Sequence, residues 1–413
     1  MNTRAAPQAA AHLRSSDLRG ASQIAVAAVR GLTDLVEHLH HNIARASWPL
    51  GTPIDAPTTG ITGLVYRSVR GVTHLVGGSL DALLGQVERL LGPHADVSST
   101  EREAVIAALN GVMGDRLAAQ GNPLAITMAV QHGGRPLPLH ALGLAQRLPD
   151  ARARVLLMVH GLCMGPAQWL RNGHDHGQAL AEAGGFTPLY LHYNSGRHVS
   201  ENGRDLAALL RDLHQHWPVP LEEIVILGHS MGGLVARSAC RQAQGEPWLA
   251  RLGKLVFLGT PHHGAPLARG GHWIDGILGA SPYTAAFAQL ARKRSAGIGD
   301  LRHGSLLASD WADAKAFAHG HDTRSPVPLP AGVACHAMAA SLGEQTGDLK
   351  DALLGDGLVP MASALGQHQQ ARRQLAFDAD KQWTGLAMGH LDLLDRPEVY
   401  AQLKRWVVSG TAG

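Results

Sequence analysis

A strand that runs straight into a helix through one sharp turn leaves a chain few ways to fold. Here Ile224-Val225-Ile226-Leu227 is a continuous apolar run and Gly228-His229-Ser230-Met231-Gly232-Gly233 follows with no spacer. Leu234-Val235-Ala236 then opens a helix. So tight a reversal forces Ser230 into strained backbone angles. Glycines at 228 and 232 remove the Cβ atoms that would otherwise strike the neighbouring strand and helix. The helix start aims its free N–H groups and positive dipole end at the serine. A G-x-S-x-G pentapeptide is a weak signal by itself in a chain with 49 glycines; the strand before it and the helix after it give it meaning.

The surrounding sequence repeats the same alternation. Val155–Val159, Pro188–Tyr193, Ile224–Leu227 and Lys254–Leu258 read as short apolar strands, with helices near Trp169–Ala183, Glu201–His216 and Met231–Gln244 between them. Strands that are near-continuous apolar runs, separated by amphipathic helices, predict a mostly parallel sheet covered by helices on both faces. Leu124–Val130, Gly133-Gly134 and Pro136-Leu137 read as a strand, a tight turn and a second strand ahead of it. Apolar residues make up 45% and charged residues 17% of the 413, enough to fill such a core.

The segment around Ser230 resembles the nucleophile elbow of the α/β-hydrolase superfamily. More narrowly, residues 150–410 are similar to bacterial triacylglycerol lipases and inositol-deacylase-like lipases. The resemblance implies an α/β-hydrolase fold and a Ser-His-Asp triad that cleaves carboxylic esters through an acyl-enzyme, with Ser230 as nucleophile. His160-Gly161-Leu162 ends its strand where such lipases build the oxyanion hole, so the backbone N–H groups of Leu162 and Met231 are the expected donors. Downstream, Asp356-Gly357-Leu358-Val359-Pro360 looks like the turn that carries the acid, with Asp348 and Asp351 as nearby competitors. His390 lies between the last strand and the last helix, where the base has to be to reach Ser230, and is preferred over His368. A helix after it is signed by Asp395, Pro397 and Glu398. Gly259-Thr260-Pro261-His262-His263-Gly264 matches a run found after the following strand in many lipases, and the insertion from 264 to 330 is where they carry a lid. Ile274, Ile277, Leu278, Phe287 and Leu290 from that insertion, with Tyr193 opposite, are the expected pocket lining. His390-Leu391-Asp392 also resembles a lipase motif whose aspartate helps bind calcium. No second carboxylate is evident, so Asp392 reads mainly as a loop-fixing residue. No cofactor is expected.

Residues 1–120 carry none of this chemistry. Helices are predicted over Asp17–Ala46, Ile61–Leu91 and Thr100–Ala119, and Val29–Val36 nearly repeats as Val69–Val76. The two long arms form a hairpin whose apolar stripes need a partner, either this chain's own catalytic region (121–413) or a second copy. Their polar faces mix Arg30 and Arg70 with Asp34 and Asp81, which argues against a lipid surface, though association with lipid or a storage granule stays open. A net charge of +3 with no basic stripe excludes nucleic acid. The 25 histidines are scattered, and neither His174-Asp175-His176 nor His262-His263 has metal-ligand spacing. Three distant cysteines give no disulfide framework. Without an apolar leader or an 18-residue apolar run, a cytoplasmic protein with no transmembrane segment is expected. The same triad could serve a thioesterase, an amidase or an acyltransferase. An inactive hydrolase scaffold that only binds is the alternative of a different class, and the presence of all three triad residues weighs against it.

Overall fold

The computed structural model describes residues 19, 20, 23, 100–265, 295–312, 324–345 and 355–408. The chain divides into two compact units, Met1–Ser98 with Gln120–Leu124, and Ser99–Ala119 with Ala125–Gly413. Apart from Arg19, Gly20 and Gln23, the two long N-terminal helices expected from the sequence lie outside the described residues. Among the described residues, no helix is long and apolar enough to cross a membrane.

The second unit is built on one eight-stranded sheet. Its strands are β1 (Ala129–His132), β2 (Arg135–Pro136), β3 (Arg154–Val159), β4 (Thr187–His192), β5 (Glu223–His229), β6 (Leu252–Leu258), β7 (Ala334–Ala340) and β8 (Gln382–Gly385). They lie in the order β2-β1-β4-β3-β5-β6-β7-β8. The hairpin β1–β2 is antiparallel and closes on Gly133 and Gly134, with φ of 56° and 72°. Two left-handed residues in a row match the twist of the flanking strands. β1 runs antiparallel to β4, and every pairing from β4 through to β8 is parallel.

Along β3, Val155, Leu157 and Val159 enter one core and Leu156 and Met158 the other. The strands read as continuous apolar runs because both faces are covered. On one face, Leu206, Leu210 and Leu213 of α4 (Val199–His216) and Leu234, Val235 and Ala239 of α5 (Met231–Gln242) pack. On the other, Leu180 of α3 (His176–Gly184) meets Leu403 and Val407 of α9 (Pro397–Val407). The remaining helices are α1 (Thr100–Ala119), α2 (Ala141–Arg147), α6 (Ala296–His303), α7 (Ser309–Ala312) and α8 (Met361–Ala364).

Three local expectations are corrected. The helix placed over Trp169–Ala183 is a short 3-10 turn at Pro166–Trp169 followed by α3, which starts only at His176. Asn172 and Gly173 take positive φ between them, and Asp175 Oδ1 accepts the Gln178 N–H as the cap. Asp395 is not the cap of α9. Arg396 occupies that position, Pro397 is the first helical residue, and Asp395 accepts from Asn172 Nδ2 at 2.5 Å. Third, α1 belongs to the sheet-bearing unit, whereas the sequence grouped it with the hairpin.

The docking of α1 is close and carried by glycines. A Cβ at Gly111 would sit 2.2 Å from Cys163 Sγ and 2.8 Å from its backbone N and Cα. A Cβ at Gly196 would lie 2.1 Å from Asn110 O, so backbone rests on backbone. Ser295 Oγ donates to Gly111 O at 2.7 Å and Asn194 Nδ2 to Gly114 O at 2.9 Å. Replacing a helical glycine by alanine normally stabilises by about 0.5–1 kcal/mol. Overpacking of this kind costs about 1–3 kcal/mol, so at Gly111 the contact outweighs the propensity. Gly111→Ala is expected to lower Tm by roughly 2–6 °C in thermal denaturation; a rise would mean that α1 is loosely held.

Candidate active site

The turn after β5 has the strained geometry its sequence demands. Ser230 has φ 53° and ψ −122°, and its N–H donates to Leu258 O at 2.8 Å. A Cβ on Gly228 would lie 2.7 Å from Gly233 Cα, and one on Gly232 would lie 2.2 Å from Val159 O. Helix α5 can therefore start directly against the ends of β3 and β5 only because these residues lack side chains. Met231 opens α5, and the amides of a helix's first turn have no intrahelical acceptor. Together with the parallel sheet, this strand–turn–helix is decisive. The chain has the α/β-hydrolase fold.

Beside the elbow, the loop His160–Met164 is fixed from beneath. Gly161 approaches so closely that a Cβ there would be 3.1 Å from Ser230 Cβ. His160 Nδ1–H donates to Gly161 O at 2.8 Å, and its ring stacks on Tyr193 at 4.3 Å. The Tyr193 hydroxyl donates to His160 O at 2.8 Å. Tyr193 is thus a fully buried prop under the loop and not the pocket wall expected from the sequence. The Cys163 N–H donates to Ser195 Oγ at 3.1 Å, and Cys163 holds a positive φ of 59°. Its thiol is pushed up to about 12 by burial, so it stays protonated and is no competing nucleophile.

His390 and Asp356 come together although 34 residues separate them. The His390 Nδ1–H donates to Asp356 Oδ2 at 2.6 Å, and the His390 N–H donates to Asp356 O at 3.1 Å. The other carboxylate oxygen accepts the N–H groups of Leu358 at 2.9 Å and Val359 at 2.7 Å. Such bonds hold the carboxylate in one rotamer. Occupying Nδ1 leaves Nε2 as the free nitrogen of the ring. His229, inside the pentapeptide, donates its Nε2–H to His390 O at 3.4 Å, and the two rings lie 4.7 Å apart. Burial, with the neighbouring His390 second, pushes His229 well below the ordinary histidine range. The competitor His368 sits on an exposed turn where its Nδ1 accepts from Gln370 N. Asp348 and Asp351 lie outside the described residues.

Ser230 and His390 line one cavity of about 140 Å³ with Leu162 and residues that the sequence did not single out for it, among them Ala104, Met164, Leu170 and Leu394. Ile274, Ile277, Leu278, Phe287 and Leu290, and most of the insertion, lie outside the described residues. Asp392 Oδ2 accepts the Gly389 N–H at 2.8 Å and so closes the turn that bears His390. Among the described residues, no cluster of three or more His, Cys, Asp or Glu could hold a metal ion.

A family described as a domain of unknown function, DUF7379, matches residues 138–294, which include Ser230 and the loop at 160–164 but neither Asp356 nor His390. No curated protein matches. Among solved structures, the chain is similar to the mature lipase BlEst2 of Bacillus licheniformis at 17% identity and a TM-score of 0.38, over 62% of this chain and 91% of that one. It is similar to an esterase of Pyrobaculum calidifontis at 14% identity and a TM-score of 0.35, over 76% and 91% of the two chains. Aspergillus fumigatus lipase B gives 12% identity and a TM-score of 0.37, over 66% and 54%. At such values the chemistry has to be argued from the side chains.

Four wholly buried histidines give this fold a pH signature. Burial pushes His160 and His176 down to about 3, and moves His229 and His262 in the same direction. Each is neutral in the folded protein but takes up a proton near 6.5 when unfolded. Their stability contribution is therefore complete above pH 6.5 and is lost as pH falls toward the folded values. The loss approaches about 1.4 kcal/mol per pH unit for each histidine. Thermal melts should show Tm falling steadily from pH 7 to pH 5; a flat profile would mean that these rings are not held neutral.

Proposed function

We propose that this chain is a serine hydrolase of carboxylic esters, with Ser230 as nucleophile, His390 as base and Asp356 as the acid that orients it. The observation that carries the reading is the buried 2.6 Å His390–Asp356 hydrogen bond at a cavity which Ser230 also lines. In this reading Ser230 Oγ attacks the ester carbonyl as His390 Nε2 takes its proton. The carbonyl oxygen gains the negative charge, and the N–H groups of Leu162 and Met231 receive it. Both donors are backbone groups held in place before the charge develops, so no reorganisation is needed during the step. His390 then gives its proton to the departing alkoxide, and the alcohol leaves an acyl-serine behind. Water, deprotonated by the same nitrogen, releases the acid and restores the serine. Asp356 orients and stabilises the imidazolium present in both halves.

Support also comes from what surrounds the pair. His229 and His160 are neutral, so neither places a second positive charge beside the imidazolium formed at His390. Cys163 has neither an elbow nor a thiolate. The apolar stripes near residues 24–35 and 64–75 stay a separate proposal, of packing on this unit or a second copy, and they lie outside the described residues.

A fluorophosphonate probe should label the protein at Ser230 and nowhere in Ser230→Ala, and that variant should lose on the order of a million-fold in kcat on an activated ester. Asp356→Asn should lose on the order of 10⁴-fold by holding His390 in the wrong tautomer. Asp348→Asn and Asp351→Asn should change kcat little. Wild-type rates in Ser230→Ala, or a larger loss at Asp351 than at Asp356, would defeat the assignment.

A further inference from the structure

The cavity at Ser230 is small, and α1 closes one side of it. Its volume is about 140 Å³. A cavity of about 150 Å³ lined by apolar side chains binds benzene, a six-carbon guest. The described walls of the Ser230 cavity come from three places, one of them Gln168, Leu170 and Arg171 in and just after the 3-10 turn at Pro166–Trp169. Leu391 and Leu394 come from the turn that carries His390, whereas Leu162, Cys163 and Met164 come from the loop beside Gly161, with Ala104 of α1. The chemistry assigns the other two. A leaving alcohol has to receive its proton from His390, so it departs along the Leu391–Leu394 side. The acyl chain is then left on the side of the loop and α1.

That acyl side is rigid. Ala104 is only 9% exposed, and α1 presses Gly111 onto Cys163 with no room for a methyl group between them. A Cβ on Gly165 would already sit 3.7 Å from Ala107 Cβ, so α1 also abuts the end of the loop. Asn110 Oδ1 accepts the Ile126 N–H at 2.9 Å and ties α1 to the chain leading into β1. The wall cannot retreat without undoing these contacts.

Resting on the ester-hydrolase reading, the geometry points to a site for short, apolar acyl groups of about six carbons or fewer. Ala104 is the residue that limits their length. The long chains of storage or membrane lipids fit poorly because a docked helix bounds one side of this small cavity.

The test is a series of p-nitrophenyl esters from acetate to hexadecanoate on the full-length protein, which varies the acyl chain at a constant leaving group. kcat/KM should rise about fourfold per CH₂ up to four to six carbons, as each buried methylene adds its transfer energy. It should fall by on the order of tenfold or more by decanoate, as overpacking sets in. Ala104→Leu should lower the ratio of hexanoate to acetate kcat/KM by on the order of tenfold. Ala104→Val is the milder replacement if the leucine variant fails to fold. A maximum at dodecanoate or beyond, still lost in Ser230→Ala, would overturn the chain-length inference and leave the hydrolase reading intact. An unshifted ratio in both Ala104 variants would overturn the role given to that residue. Failure of every ester, together with no fluorophosphonate labelling, would take down both readings.

Discussion

Everything at this site depends on how near helix α5 comes to the ends of β3 and β5. The approach is limited by three glycines flanking Ser230. Gly228 meets Gly233 Cα, Gly232 meets Val159 O, and Gly233 meets Thr260 Oγ1, each within the distance at which any side chain would overlap. A wider gap would relax Ser230 from its φ of 53°. Strain in a single residue costs about 1–3 kcal/mol and persists only where its surroundings over-determine it. The cores on both faces of the sheet supply that surrounding.

The second dependence is polar and lies below the loop at 160–164. A buried imidazole is expensive when charged and cheap when neutral and hydrogen-bonded. His160 is kept neutral and uses Nδ1–H to fix the carbonyl of Gly161, while Tyr193 fixes the carbonyl of His160. With those two carbonyls spoken for, the peptide planes on either side are set, and the orientation of the Leu162 N–H follows from them. His229 extends the arrangement from the elbow to the carbonyl of His390. Three neutral groups thus join the loop, the elbow and the His390 turn.

Much of this was legible because it is local. The elbow, the strand ends and the Asp356 turn are short motifs whose residues fix their own backbone, as Gly357 at φ 90° shows beside Asp356. What escaped notice depends on distant partners. Strand β7, Ala334-Cys335-His336-Ala337-Met338-Ala339-Ala340, has no β-branched residue and mostly good helix formers. Its place between β6 and β8 decides its conformation. Tyr193 looked like a pocket residue because it ends a strand at the binding edge, yet its hydroxyl found a carbonyl underneath. The role of α1 was hidden for a similar reason. Gly111 and Gly114 are penalties in a helix until Cys163 and Asn194 are seen against them, and two glycines three residues apart were the available clue.

The same helix that follows Ser230 also holds the two ends of the insertion. Arg237 is buried on α5, with Nη1 at 3.2 Å from His262 Nδ1 and Nη2 donating to Val327 O at 2.5 Å. Burial lowers its pKa to about 10, so it remains a cation at neutral pH. His262 is held neutral by burial first and by Arg237 second, which leaves Nδ1 to accept. Ser238 Oγ, next along α5, donates to Leu306 O at 2.6 Å, and Ser363 Oγ donates to Gly264 O at 2.8 Å. A buried guanidinium answered by neutral acceptors among the described residues is a costly way to join two loops. Its planar fork can reach both at once, which a lysine's single ammonium does less well. The histidine of the Gly-Thr-Pro-His run is therefore a tie for the entry to the insertion, and Val327 marks the matching tie at its exit. Both ends are registered to the helix whose first amide is the proposed oxyanion donor. The residues that frame the insertion and those that frame the reaction thus share one rigid element.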